Sequence, residues 1–232
     1  MKLPIQETPS YTITLPVTQQ EINFRPFLVK EQRNLILARE GKDTKEIFGA
    51  IKDIIEVVTK ERIDSTKLPI ADLEFLFLQI RCKSIGETAD IVFNCGECEE
   101  GTGTASIDLA SVGVDIPKVE NKITLNDDLM VEMRYLTSDD ALIIDGLSEA
   151  DAIKPILRRT MVRLFDKEEI YDLADFPDSE IDKFIDSLTL EQYNTMNDWI
   201  SKAPALSHIA KYTCDNCGHK NKILLRGLDN FF

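Results

Sequence analysis

The hydrophobic pattern first predicts an amino-terminal hairpin. In the stretch YTITLPVTQQEINFRPF, residues 11–27, short apolar alternations lie on both sides of a polar turn, as is typical of two antiparallel strands. The pattern then changes to a helical period from about 29 to 40. Gly41 follows, and glycine commonly ends a helix.

Two stronger helical patterns come next. Asp43 and Glu46 have the spacing of a capping box, and apolar residues then recur at helical spacing at Ile47, Phe48, Ile51, Ile54, Ile55 and Val58. After Pro69, another helix has two apolar stripes, formed by Leu73, Leu76, Phe77 and Ile80 and by Phe75, Leu78 and Cys82. A helix that is apolar on two faces belongs in the middle of a core. We therefore expect a central helix in which Cys82 is a small core residue.

Two further alternating stretches each surround a Cys-x-x-Cys pair. Residues 88–109 predict a hairpin with VFNCGECEEG at its tip, and the stretch around YTCDNCGHKN repeats the design. The inward positions of the second hairpin are His208, Ala210 and Tyr212 before the cysteines and Ile223 and Leu225 after them.

The segment between the two cysteine hairpins combines strands and helices. We predict strands near 121–125 and 129–135 and helices near 152–165, 178–187 and 190–201, the last with a capping box from Thr189 and Gln192. No stretch is rich enough in Gly, Pro or Ser to mark a linker. The prediction is a single α+β domain over 1–232, a helical core with antiparallel β-hairpins. Its sub-regions are 1–87 (hairpin and helices), 88–136 (first cysteine knuckle and strands), 137–205 (helices) and 206–232 (second knuckle and last strand).

Composition and charge narrow the classes of partner. The chain has 232 residues, 43% of them hydrophobic, which is enough for an ordinary core. Its 41 acidic residues against 27 Lys and Arg give a formal charge of −14, and basic residues reach at most short pairs such as Arg158 with Arg159. We therefore expect no nucleic-acid binding.

The longest apolar run, LEFLFLQI, is too short to cross a bilayer, and the first residues lack the apolar region of a signal peptide. We expect a protein of the cytoplasm with no membrane insertion.

The cysteines are the strongest chemical signal in the sequence. Five cysteines without a secretion signal favour reduced thiols and metal ligation over a disulfide framework. Two Cys-x-x-Cys turns can supply four thiolates to one structural Zn(II), with Zn–S distances of about 2.3 Å. The predicted ligands of one zinc ion are Cys95, Cys98, Cys214 and Cys217, so that the two knuckles form a zinc-ribbon-like clasp. The pairs lie much farther apart than the roughly 15 to 20 residues usual in compact ribbons, and iron in the same sulfur cage is an alternative.

Other roles for these residues stay open. Two unrelated pairs of reduced cysteines are one alternative. A redox pair is another, although Glu97, Glu99 and Glu100 would raise the pKa of neighbouring thiols. His208 and His219 are expected to be strand or turn residues rather than ligands.

No catalytic motif stands out. The two histidines have no Ser or Cys at motif spacing, and EEGTGTAS lacks the Lys-Ser/Thr ending of a phosphate-binding loop. Acidic runs such as SDDALIID are explained by helix caps and solvated faces. We therefore predict that the protein is not an enzyme and has no small-molecule substrate.

Three stretches together resemble the T4-type bacteriophage baseplate protein family, the hub subunits and hub assembly proteins of contractile-tailed phages. They are TLPVTQQEINFRPFLVKEQRNLILARE, the two cysteine hairpins and the ending ILLRGLDNFF. The resemblance implies a role in building the central hub of the tail baseplate, as a structural subunit or an assembly chaperone, through contacts with other hub proteins. The implied locations are the host cytoplasm during assembly and the tail baseplate of the virion. The alternative function is a zinc-ribbon module of a transcription or RNA-handling complex.

The chain ends in two phenylalanines, Phe231 and Phe232. Exposed aromatic pairs are unfavourable in water, so these residues either pack in the protein's own core or dock on a neighbouring hub protein. We favour packing in the core.

Overall fold

The structure is a computed structural model that describes residues 7–41, 43–60, 62–98 and 100–231. The strands in this part of the chain are β1 Tyr11–Thr14, β2 Glu21–Phe24, β3 Thr88–Asn94, β4 Thr102–Asp108, β5 Gly113–Asp115, β6 Lys122–Asn126, β7 Leu129–Met133, β8 Met161–Phe165, β9 Ile170–Asp172, β10 Ala205–Thr213 and β11 Lys220–Arg226. The α-helices are α1 Val29–Gly41, α2 Thr44–Val58, α3 Ile70–Ser84, α4 Ser138–Ile144, α5 Glu149–Thr160, α6 Asp178–Ser187 and α7 Leu190–Ser201. All strand pairs are antiparallel, which confirms the α+β class.

The contacts of the chain group into two compact units. One comprises Met1–Asp115 and Ala205–Phe232, and the other comprises Ile116–Pro204. The first unit contains the two cysteine hairpins, and the second is inserted in the sequence between β5 and β10. Folding as a single domain stays a prediction, for which one cooperative unfolding transition is the test.

Helix α3 is the centre of the first unit, as its two apolar stripes predict. Side chains of both stripes are fully buried, among them Leu73, Leu76, Leu78 and Ile80. The core around it is completed by α2, the β1–β2 hairpin, β4 and β10 through Ile55, Phe24, Ile107 and Leu206. Cys82 is buried in the same cluster, which confirms its assignment as a core residue.

A buried carboxyl group fixes the amino-terminal hairpin on this helix. Asp72 is fully buried in the first turn of α3. It accepts hydrogen bonds from the backbone N–H of Val17 and of Thr18, each at 2.8 Å, and from Thr18 Oγ1 at 2.7 Å. These bonds satisfy the carboxyl oxygens in a dry interior. They hold the turn between β1 and β2 against the start of the helix.

The end of the chain also packs on α3. Phe231 is fully buried in the first core, in a short 3-10 turn over Leu228–Phe231, which confirms core packing for this residue. Phe232 lies outside the described residues. At the first residue of this turn, the backbone N–H of Leu228 donates to Glu74 Oε1 over 3.3 Å.

The second unit is a four-stranded sheet covered by helices. The strand order is β6-β7-β8-β9, and the core includes Val131, Met133, Leu157 and Met196. The predicted helices α6 and α7 are present, and Thr189 and Gln192 form the expected capping box. Trp199 of α7 stacks on Tyr135 with 4.8 Å between ring centroids, and its indole N–H donates to the carbonyl of Glu120.

The predicted helix over 152–165 was wrong in its last third. The helix α5 ends at Thr160, and residues 161–165 form β8 between β7 and β9. The cause of the error is the spacing of Leu157, Met161 and Leu164, which continues a helical period. Pairing with β7 overrides that local signal, because the strand completes the ladder of the sheet.

The carboxyl group of Glu74 predicts a specific pH dependence of stability. Burial raises its pKa from 4.5 to about 7 despite the hydrogen bond from Leu228, and the charge of Asp229 adds to the increase. As pH rises from about 4.5 to about 7, the unfolded chain loses this proton first, so the free energy of unfolding falls by at most about 3 kcal/mol. Glu74→Gln removes the titration and keeps an acceptor for Leu228. We expect the variant to be more stable than wild type near pH 8, by a margin that shrinks towards pH 5.

Chemical denaturation across this pH range measures the effect, with the exposed Glu21→Gln of β2 as the control. A margin that does not depend on pH would contradict the assignment.

Candidate metal centre

The tips of the β3–β4 and β10–β11 hairpins bring four sulfur atoms together. The Sγ atoms of Cys95, Cys98, Cys214 and Cys217 all lie within 4.8 Å of one another. Between the hairpins, 3.8 Å separates Cys95 Sγ from Cys217 Sγ, and 3.6 Å separates Cys98 Sγ from Cys214 Sγ. A sulfur tetrahedron around zinc with bonds of about 2.3 Å has edges of about 3.8 Å. The four cysteines therefore could hold one metal ion.

Each tip is a tight turn stabilised by its own backbone. In the first, the N–H of Cys95 donates to the carbonyl of Gly101, and the N–H of Gly101 donates to the carbonyl of Cys98. In the second, the N–H of Gly218 donates to the carbonyl of Cys214. Gly218 has a φ of +72°, a conformation that glycine adopts without strain.

The glycine next to the sulfurs of the first turn is Gly101, which does not follow its cysteine pair directly as Gly218 does. Gly101 follows Cys98 by three residues, and a Cβ atom there would lie 2.4 Å from Cys214 Sγ and 2.7 Å from Cys98 Sγ. Gly103 is equally close to the other hairpin, since its Cβ would lie 2.4 Å from the carbonyl oxygen of Thr213. Only glycine fits these positions without a shift of the sulfurs or of the opposite backbone.

Contacts beside the sulfurs also join the two hairpins. The backbone N–H of Asp215 donates to the carbonyl of Thr102 over 2.9 Å. Tyr212 stacks on Phe93 with 5.4 Å between ring centroids, and its hydroxyl donates to the carbonyl of Asn94. The two tips are thus held in register by hydrogen bonds and aromatic packing as well as by any metal.

Amide groups point at the sulfurs and favour the thiolate form of Cys95. Hydrogen bonds from the backbone N–H groups of Cys98 and Glu97, with a smaller contribution from Asn221, lower the pKa of the Cys95 thiol to about 6. Asn221 reaches across from the second hairpin: its Nδ2 lies 3.5 Å from Cys95 Sγ, and its Oδ1 accepts from the N–H of Gly96. The expectation that flanking glutamates raise the thiol pKa was therefore wrong for Cys95, because these amides dominate.

The pKa of the Cys217 thiol shifts in the opposite direction, upwards. The backbone N–H of His219 lowers the pKa of Cys217, but the neighbouring sulfurs of Cys98, Cys214 and Cys95, together with burial, raise it to about 12. Several thiolates cannot share so small a volume without a cation. A divalent metal would relieve that repulsion, which makes the donor set suitable for metal binding.

The other candidate residues lie outside the cluster. Cys82 is on α3 in the core, His208 is half-buried in β10, and His219 is exposed in the second turn. Among the described residues, the four cysteines are the one group of His, Cys, Asp or Glu side chains close enough together to hold a metal.

Comparison with protein families settles the class of protein. A family model described as T4 bacteriophage base plate protein matches residues 8–232. The chain belongs to this baseplate family. The resemblance seen in the sequence is thereby confirmed, and it extends over nearly the whole chain. No curated protein and no solved structure gave a significant match.

Membership in the family bears on the other expectations. It implies assembly with other phage proteins and favours the virion tail baseplate as the location. A structural family of this kind favours a protein that is not an enzyme. In the described part of the chain, no helix combines the length and apolar character needed to cross a membrane.

The close approach of Gly101 to the sulfurs leads to a test of the site. Gly101→Ala inserts a methyl group between two sulfurs, so we expect a loss of about 1 to 3 kcal/mol of stability and weaker metal binding. Gly96→Ala is the matched control, because its Cβ would lie at an ordinary 3.5 Å from Asn221 Oδ1. Thermal unfolding and the metal content of both purified variants measure the effect. Equal behaviour of the two variants would show that the tips are not packed this closely.

Proposed function

We propose that this baseplate protein acts in the assembly of the central hub of the tail baseplate, through protein contacts, as a structural subunit or as an assembly chaperone. The observation that carries the proposal is the family match over residues 8–232. The hub role itself comes from the resemblance of the two cysteine hairpins and of both ends of the chain to hub proteins. The same match favours this role over a zinc-ribbon module of a transcription or RNA-handling complex.

The chemistry of the sulfur cluster supports a structural role. Four cysteine ligands close a tetrahedral site and leave no position for water or substrate, whereas catalytic zinc sites keep one position open. The cluster could therefore stiffen the protein without taking part in a reaction. This fits a protein that works by presenting surfaces to its neighbours.

We further propose that the ion is a single Zn(II) and that Cys95, Cys98, Cys214 and Cys217 are its ligands, so that the hairpins form a zinc-ribbon-like clasp. Support comes from the all-sulfur donor set and from the separations of 3.6 and 3.8 Å between the hairpins. Iron also binds four thiolates, and the visible absorption of an iron–sulfur centre would distinguish it. Binding of the metal would add to folding free energy, because the ligands come together only in the folded chain.

Zinc removal is expected to loosen the hairpins and leave the second unit folded. The purified protein should contain one zinc ion per chain, and a chelator should speed hydrogen exchange in residues 88–109 and 205–226. The single tryptophan, Trp199, lies in the other unit, so its fluorescence should not change.

Cys98→Ser should lose the metal, whereas Cys82→Ala, at a cysteine outside the cluster, should keep it. Retention of zinc by Cys98→Ser would remove Cys98 from the ligand set.

The hub role is tested by where the protein is found. Quantitative mass spectrometry of purified assembly intermediates and mature particles would measure its copy number in each. A fixed stoichiometry in both is expected of a structural subunit, and presence in intermediates alone is expected of an assembly chaperone. Absence from both would contradict the proposed function.

A further inference from the structure

The outward face of the β10–β11 hairpin carries basic and aliphatic side chains, although the chain as a whole is acidic. Residues directly opposite in an antiparallel pair share a face, and four consecutive outward pairs are Ser207 with Arg226, Ile209 with Leu224, Lys211 with Lys222, and Thr213 with Lys220. We call these eight residues the basic face. Ala210, Tyr212 and Leu225 point the other way and are buried in the core.

The centre of the basic face is apolar and accessible. Ile209 is 47% exposed and Leu224 is 62% exposed. The two side chains lie opposite each other on neighbouring strands, so together they form one continuous aliphatic patch. Along the hairpin, this pair is flanked by Lys211 and Lys222 on one side and by Arg226 on the other, as an interface centre is by its polar rim.

The rim of this patch is positively charged. It contains Lys211, Lys220, Lys222 and Arg226, while the chain as a whole has a formal charge of −14. Asp215, at the hairpin tip, is the one acidic residue in the sequence from 205 to 226. Among the described residues, none of the three lysines forms an ion pair with a carboxylate.

The arrangement is unfavourable for the isolated hairpin. Lys211 and Lys222 are directly opposite each other, and like charges in that position destabilise a strand pair. Neutralising the thiolates of the cysteine cluster does not explain why these lysines are present. Lys211 lies on the outward face of β10, whereas the buried Tyr212 and Cys214 lie on the inward face.

We propose that the basic face docks on an acidic surface of another baseplate protein, one that presents an aliphatic patch ringed by carboxylates. The inference rests on the proposed function, since it names the chemistry of a partner in the baseplate. Charge complementarity is the argument for the occupant. A protein is favoured over nucleic acid because aliphatic side chains, and no aromatic ring on which a base could stack, occupy the centre of the face.

The test uses the other baseplate proteins of the same phage, each purified separately and immobilised as a probe. Lys211→Glu with Lys222→Glu should weaken binding to one probe by about tenfold or more, and wild-type binding should fall as salt is raised. Lys118→Glu with Lys183→Glu, two exposed lysines of the second unit, makes the same change in net charge and should bind like wild type. Glu→Lys changes on the bound probe should restore binding to the reversed variant.

Three results would overturn the proposal. One is a probe that binds both double variants equally well, which leaves the hub role intact. Another is retention of a short DNA duplex through these lysines while no baseplate protein depends on them. The third is loss of zinc from the Lys211→Glu, Lys222→Glu variant, which would assign the lysines to the metal centre. Failure of every probe to bind even the wild type would count against the proposed function as well.

Discussion

The fold of the first unit depends on the meeting of two hairpin tips that are far apart in the sequence. The stretch between Cys98 and Cys214 includes β4, β5 and the whole of the inserted unit Ile116–Pro204. Long loops add only slowly to the entropy of closure, and the pairing of β10 with β5 already brings the two ends of the insertion together. The sulfur cluster then needs to fix only the tips, where the glycines allow the strands to approach.

Because the two hairpin tips have to meet closely, the residues around the cysteines contribute to the site together with the cysteines. Gly101 and Gly103 leave room for sulfur and backbone, and Tyr212 and Asn221 connect one hairpin to the backbone of the other. The amides around Cys95 lower the pKa of its thiol and favour the thiolate form. The proposed zinc clasp would make the hairpin rigid, and a rigid hairpin can present a fixed surface to a partner without a large loss of entropy on binding.

Much of the architecture could be predicted from local patterns. The helix α3, the cysteine hairpins and the capping box of α7 each carry a signal within a few residues, and all three are present. The strand β8 could not be predicted, because its apolar spacing is helical and only pairing with β7 makes it a strand. The roles of Gly101 and Asn221 depend on contacts across the chain that no local pattern contains. The basic face was missed for a similar reason: Lys211 and Lys222 lie on opposite sides of the cysteines in the sequence, and only the strand register places them together.

The central claim is that four thiolates from both hairpins bind one zinc ion. X-ray absorption at the zinc edge of the purified protein tests it most directly, because the spectrum reports the identity, number and distance of the ligand atoms. The account predicts four sulfur atoms at about 2.3 Å and no nitrogen or oxygen ligand. A first shell with nitrogen or oxygen, or with only two sulfurs, would contradict it.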